Sequence, residues 1–306
     1  MTSPRDILVS AELDAVRIDE FVTNVVSHGR DLYRDLPWRR TRDPYAVLVS
    51  EVMLQQTQVP RVLVRWEEWL ADFPTLDSLA SAPLEAVLRA WQGLGYNRRA
   101  IALKRTAEQL VAQREAAGVP TGEPTVLPDD DAALRALPGI GPATAAGVRA
   151  FAFCLPGIYL ETNVRTVVLH ELFADCEGVP DREIEPVLRA ALEAARTQGV
   201  DAREWYYALL DYGSHLKRTV PNPSRRSAHH SRQSAFQGSN RQKRSWLLRA
   251  VMAQPGESTG EYAAALSEVE IRAGRDPLSE ATVAGILESL SAEGFLNCDE
   301  ERWLVS

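Results

Sequence analysis

The chain has 306 residues, a net charge of −8, 45% hydrophobic and 25% charged residues. This is room for two or three packed domains and the composition of a soluble globular protein rather than a fibrous, disordered or membrane-embedded one. Cys154, Cys176 and Cys298 are too few and too scattered for a disulfide framework or a four-thiolate metal site, which fits a reduced cytosolic compartment.

The first residues, MTSPRDILVSAELDAVR, carry acids early and lack an apolar core segment, and no later stretch is long enough to span a bilayer. Neither export nor a membrane partner is expected. Helical spacing of apolar residues begins with YAVLVSEVMLQQT, Tyr45 to Thr57, and continues through RVLVRWEEWLADF, TLDSLASAP, LEAVLRAWQGL and NRRAIALKRTAEQLVAQREA, punctuated by prolines at 44, 74, 83, 120 and 124. Asp129, Asp130 and Asp131 then cap and start a short helix, AALRAL. Leu137-Pro138-Gly139-Ile140-Gly141 breaks it, because proline cannot continue a helix and the glycines allow positive φ. Helical composition resumes from Thr144. The result is a helix, a tight hairpin and a helix. Beyond it come Glu161 with Thr162, Asn163 and Arg165, and then the helix IEPVLRAALEAARTQ. No convincing alternating strand precedes residue 290, so the core reads as all-α.

Charge is unevenly placed. From Tyr212 to Arg249 there is no Asp or Glu, and there are nine Lys or Arg; from Ala250 to the end eleven acids face three arginines. A basic segment is hidden by an acidic tail. That tail reads as helices through SWLLRAVMAQ, EYAAALSEV and SEATVAGILESLSAEG, then Phe295-Leu296, a polar turn and Arg302 to Val305 as a hairpin. Three helices and a terminal hairpin suggest a small winged helix; its acids favour a packing or partner role over a grip on phosphates.

Two features carry chemistry. Glu51 lies in a run of Ala46, Val47, Leu48, Val49, Val52, Met53 and Leu54, where partial dehydration would raise its pKa toward that of a general acid. Periodicity alone favours a solvent-facing carboxylate. The hairpin offers backbone N–H groups at a helix start, which suits a phosphate without sequence preference, and by itself is equally an ordinary helix–helix corner.

Taken together the motifs resemble the helix-hairpin-helix base-excision DNA glycosylases, within them the MutY-type adenine glycosylases and the endonuclease III superfamily. The matching residues are Pro37-Trp38, Tyr45, SEVMLQQTQV (Ser50 to Val59), WQGLGYNRRA (Trp91 to Ala100), LPGIGPATA (Leu137 to Ala145) and TNVRTV (Thr162 to Val167), spread over roughly residues 30 to 215. The resemblance implies an all-α fold of two helical lobes with a cleft between them, and a double-stranded DNA partner whose target nucleotide is flipped out. By resemblance, Glu51 would protonate the leaving purine at N7 and help activate water. Glu161 would stabilise an oxocarbenium-like sugar, and Asn163 would orient that carboxylate or the water. Gln55, Gln56 and Tyr96 would lie at the DNA-facing edge, and Leu137, Gly139, Ile140 and Gly141 would form the phosphate-binding hairpin, with a monovalent cation at its carbonyls.

Four departures qualify the transfer. The second carboxylate is usually aspartate and here is Glu161. After the hairpin stands Ala143, so no lysine is there for a Schiff base and no tyrosine to support the carboxylates; a monofunctional enzyme without lyase activity is expected. The four-cysteine iron–sulfur loop is replaced by LKRTVPNPSRRSAHHSRQSAFQGSNRQKR. No cluster and no other metal is expected, His215, His229 and His230 being poorly spaced for zinc. Arg225, Arg226, Arg232, Arg241, Lys243 and Arg244 become candidate phosphate contacts. Finally, the tail is too short and too helical for the β-rich domain that reads 8-oxoguanine. The expected organisation is a glycosylase domain at 1–215 with its hairpin near 137–145, a basic loop at 216–244 and a winged-helix-like module at 245–306. The expected function is excision of a purine, adenine in a mispair or hypoxanthine, by a monomer acting on the nucleoid in the cytoplasm. Excision of uracil or thymine opposite G, and a non-catalytic DNA-binding role, are the alternatives.

Overall fold

The computed structural model describes residues 15–120, 122–230 and 235–306. In chain order its helices are α1 (Ala15–Asp31), α2 (Pro44–Leu54), α3 (Val59–Asp72), α4 (Leu76–Ser81), α5 (Leu84–Ala90), α6 (Arg98–Ala116), α7 (Asp131–Arg135), α8 (Pro142–Phe153), α9 (Thr162–Glu171), α10 (Asp181–Thr197), α11 (Ala202–Thr219), α12 (Asn240–Ala253), α13 (Thr259–Arg272) and α14 (Glu280–Ala292). A hairpin, β1 (Leu296–Asp299) and β2 (Arg302–Val305), follows, antiparallel with Cys298 opposite Trp303. The core is all-α. Among the described residues no helix is long and apolar enough to cross a membrane. The chain forms two compact units, Met1–Gln55 with Val126–Ser231, and Gln56–Thr125 with Arg232–Ser306.

In the first unit α11 packs against α1, α8, α9 and α10. Phe21, Val25, Val164, Val168, Trp205 and Leu209 are buried in one cluster, and Phe21 meets Trp205 edge-on at 6.0 Å between centroids. Each such side chain contributes about 1.5–3 kcal/mol by leaving water. One carboxylate shares this core: Asp211 accepts both arms of Arg39 at 2.7 and 2.9 Å and Arg34 Nε at 2.5 Å. The Arg39 guanidinium lies 4.2 Å over the Tyr207 ring. Arg203 donates to the carbonyls of Arg39 (2.7 Å), Thr41 (2.8 Å) and Phe151. These bonds fix the segment that leads into α2, and so the helix that carries Glu51. Breaking one partner of such a buried pair costs about 3–5 kcal/mol.

Helix α2 starts where Asp43 accepts from Tyr45 N at 3.0 Å, with Pro44 in the first helical position. Apart from Glu51 and Leu54, every residue after Pro44 is buried. It stops at Leu54, three residues before the end suggested by its periodicity, because Gln56 takes φ +54 and a left-handed residue cannot extend the helix.

In the second unit Trp69 packs edge-on against Trp91 at 5.3 Å and Phe73 at 5.0 Å, and α6 packs on α4 and α5. The three helices α12, α13 and α14 bury Leu247, Val251, Leu266, Val283 and Leu287 together with Phe295 and Trp303 of the hairpin. A capping box between Ser258 and Glu261 starts α13. This C-terminal module is moored to the start of α6 by one carboxylate. Glu293 accepts from Arg98 Nε at 2.6 Å and from Arg244 Nη2 at 2.7 Å, and Arg244 also bonds Ser289 at 2.8 Å.

Candidate active site

Three polar side chains converge where α2, α8 and the start of α9 meet in the first unit. Glu51 is half-buried as a residue, with its carboxyl turned in against Gly147; desolvation there pushes it up to about 8, a hydrogen bond from the Tyr159 hydroxyl opposes that rise, and the nearby Glu161 charge adds to it. Tyr159 is itself buried and its phenol is raised well above the ordinary range, by burial first and then by the two carboxylates. Its ring is edge-on to Phe151 at 5.2 Å and to Tyr206 at 5.4 Å, while its backbone N–H donates to Tyr206 Oη at 3.1 Å. The tyrosine is thus held at both ends.

Helix α8 leaves no room beside this acid. A Cβ on Gly147 would lie 2.3 Å from Glu51 Oε2 and 2.9 Å from the Tyr159 ring, so only glycine lets α8 pass so close. Neither Tyr159 nor Gly147 stands out from sequence spacing. The expected position for a supporting tyrosine, after the hairpin, holds Ala143, and the phenol arrives from two residues before Glu161 instead.

Glu161 is the N-cap of α9 and accepts from Asn163 N at 2.8 Å. A helix start favours a negative group. Asn163 Oδ1 accepts from Lys217 Nζ at 2.6 Å; desolvation depresses that amine, partly offset by Glu161. A Cβ on Gly213 would sit 2.3 Å from the Asn163 carbonyl, so α9 begins directly against α11. The structure therefore brings together Glu51, Glu161 and Asn163, and adds Tyr159, Gly147 and Lys217.

The hairpin forms between α7, capped by Asp130 on Ala133 N at 2.8 Å, and α8, which has Gly141 as N-cap and Pro142 in its first position. Leu137 and Ile140 are buried and anchor the turn, Gly139 takes φ +73, and Ile140 N donates to Leu137 O at 3.2 Å. Gln55 Nε2 donates to Thr144 Oγ1 at 3.1 Å, tying the end of α2 to the first turn of α8.

In the second unit Gln56 is exposed. Tyr96 is 40% exposed with φ +50, a strained backbone for an aromatic residue. The basic stretch divides by environment. Arg225 is exposed, whereas Arg226 is spent on the carbonyls of Phe173 (3.1 Å) and Ala174. Arg244 holds Glu293, and Arg241 donates to Tyr96 Oη at 2.7 Å. Arg232 lies outside the described residues. Backbone hydrogen bonds pin the stretch at residues 226 and 228: Val179 N donates to Arg226 O and Ala228 N to Val179 O, both at 2.9 Å. Ser224 is buried and bonds Asn222 Oδ1 at 2.8 Å. The residues present do not fit an iron–sulfur cluster, since no thiol lies in this loop and Cys154, Cys176 and Cys298 are dispersed. Among the described residues no three His, Cys, Asp or Glu side chains are gathered to hold a metal ion.

A desolvated carboxyl acid, a second carboxylate at a helix start and a glycine hairpin on an all-α scaffold define the class. A family model for the HhH-GPD superfamily of base excision DNA repair proteins matches residues 49–186, a span that takes in Glu51, the hairpin, Glu161 and Asn163. Over 298 residues the chain is 31% identical to an adenine DNA glycosylase of Mycobacterium tuberculosis (strain CDC 1551 / Oshkosh), covering 89% of this chain and 91% of that protein. The chain belongs to the adenine DNA glycosylase family. In fold it is similar to a thermostable thymine-DNA glycosylase, with TM-score 0.55, 20% identity and coverage of 66% of this chain and 88% of that one. It is similar too to a trapped endonuclease III–DNA covalent intermediate, with TM-score 0.50, 20% identity and coverage of 73% and 91%.

Proposed function

We propose that this protein is a monofunctional DNA glycosylase that hydrolyses the N-glycosidic bond of a purine flipped out of duplex DNA, with adenine in a mispair as its substrate. The observation that carries the reading is the setting of the Glu51 carboxyl, packed against Gly147, hydrogen-bonded by Tyr159 and close to Glu161; desolvation there pushes it up to about 8, which suits a proton donor at neutral pH. Glu51 would protonate the leaving purine, drawing electrons from the glycosidic bond as it breaks. Glu161, the carboxylate at the start of α9, would face the positive charge that develops on the sugar. Asn163, held by Lys217, would orient that carboxylate or the attacking water. Water adds to the sugar carbon, its proton returns to Glu51, and the products are a free purine and an abasic site.

The adenine assignment is supported by the family relationship. Hypoxanthine offers the same ring nitrogen and is the competing substrate. The monofunctional reading is supported by Ala143, and a requirement for no cluster by the thiol-free loop. A monomer, and a cytoplasmic place on the nucleoid, are part of the same proposal. The experiment is incubation of the full chain with duplexes carrying A opposite 8-oxoguanine, A opposite G, hypoxanthine opposite T or C, and U or T opposite G, followed by alkali. Adenine release that needs alkali for strand breakage supports the proposal. No break on any duplex removes the enzyme reading, breaks without alkali remove the monofunctional one, and release of hypoxanthine, uracil or thymine alone reassigns the substrate.

A further inference from the structure

We infer that the C-terminal module is part of the DNA-binding surface: its helix α12 carries Arg241 onto Tyr96, and these two form a stacking and phosphate-binding corner for one strand of duplex DNA. The inference rests on the glycosylase reading for its partner and assigns the tail a role that its net charge argues against.

Four observations meet here. Tyr96 is exposed, and its backbone is held at φ +50 between Gly95 at φ +73 and the start of α6; a bulky residue kept in that region marks a functional position. Two guanidinium groups flank its ring, Arg99 at 5.6 Å and Arg241 at 5.7 Å from the centroid; Arg99 is committed to Thr57 Oγ1 and the carbonyls of Leu94 and Gly95 and so braces the turn under Tyr96, which leaves Arg241 as the cation of the corner. Arg241 also donates to the phenol oxygen at 2.7 Å. An exposed aromatic ring with a cation beside it is what single bases and their phosphates bind, by stacking and charge together.

The fourth observation concerns the tail's acids. Of its eleven acids, Glu268, Glu270 and Glu293 are paired with arginines. Glu293 binds Arg98 and Arg244, and Glu270 binds Arg275 through both oxygens at 2.7 and 2.8 Å. The shared Glu293 carboxylate therefore links α12, through Arg244, to the start of α6, through Arg98, and Arg241, on the preceding turn of α12, meets Tyr96. What looks in sequence like an acidic packing domain presents a cation at the one exposed aromatic of the WQGLGYNRRA motif.

The test uses the full chain and a duplex carrying a stable abasic-site analogue, with affinity measured across a salt series and melting temperature recorded for each variant. Arg241→Ala should weaken binding about tenfold at low salt and reduce the slope of log affinity against log salt by about one. Arg241→Lys should restore the slope, because it keeps the charge. Tyr96→Ala should weaken binding about tenfold with little change in slope, since stacking carries no counterion release. Arg249→Ala, an exposed cation elsewhere on α12, should leave both unchanged. Wild-type affinity and slope in Arg241→Ala would overturn the inference, as would an equal loss in Arg249→Ala, which would make the effect a diffuse field. A wild-type chain that binds no duplex at all would instead overturn the glycosylase reading itself.

Discussion

The Tyr159 hydroxyl donates to the Glu51 carboxyl, and Glu51 is pushed up to about 8 by burial in spite of that bond. The bond both aims the acid and restrains its proton affinity. Tyr159→Phe should therefore move the alkaline limb of excision upward from about pH 8 and lower the plateau rate about tenfold as the carboxyl loses its anchor. Single-turnover excision across pH 5–10 reads both quantities. An unmoved limb with an unchanged plateau would mean that the phenol serves packing alone.

Excision itself should fall about tenfold per pH unit above about pH 8, where Glu51 ionises. Stability follows the same group. Its folded pKa lies above its ordinary value, so the stabilisation is fully present below about 4.5 and is lost as pH rises through about 8. Glu51→Gln should abolish excision, keep duplex affinity, and gain stability over wild type at pH 9 but not at pH 5. Denaturant midpoints at the two pH values check the sign.

Gly147→Ala should cost more than a hundredfold in excision, because its Cβ would enter the space of Glu51 Oε2. The accompanying loss of stability should be about 1–3 kcal/mol. Paired measurement of melting and of excision by the folded fraction separates the two effects.

Glu161 has a structural duty as well as a chemical one, since it caps α9 through Asn163 N. Glu161→Ala should lose about 1 kcal/mol of stability together with excision, whereas Glu161→Asn, also a good cap, should keep the stability and lose the excision. Retained turnover in Glu161→Asn would show that the second carboxylate is dispensable.

Neighbouring arginines of the basic loop should behave differently. Arg225→Ser should weaken binding to every duplex alike and flatten its salt dependence by about one contact. Arg226→Ser should instead lower the melting temperature, because it strands the carbonyls of Phe173 and Ala174. Equal salt slopes for the two variants would refute the division.

The all-α core, the Glu51 helix, the hairpin and the terminal strands were legible because each has a local signature: periodicity, a proline stop, paired glycines, alternation. Three helices were not singled out, α1, α9 and α11. Helix α11 is buried on several faces, with Trp205, Tyr206, Tyr207 and Leu209 all inside, so its sequence lacks a clean polar side. Glu161 was legible as a carboxylate before TNVR, but its capping bond required the turn of α9. Tyr159 and Lys217 join the site through contacts from other helices, and no spacing rule reaches from residue 217 to residue 163. The WQGLGYNRRA string drew attention to Tyr96, yet its partner comes from a segment 145 positions later. The basic stretch was visible as charge; which arginines face solvent was decided by carbonyls and carboxylates elsewhere in the fold.

Arg98 and, against some burial, Arg244 hold the Glu293 carboxyl down to about 2. The stabilisation from that group is present above its ordinary value and lost only as pH falls toward 2. Between pH 5 and pH 9 the mooring of the C-terminal module is therefore blind to protons, while Glu51 changes state within the same interval. Raising the pH from 5 to 9 should therefore silence excision while that mooring holds, an outcome read by measuring excision and melting side by side across the interval.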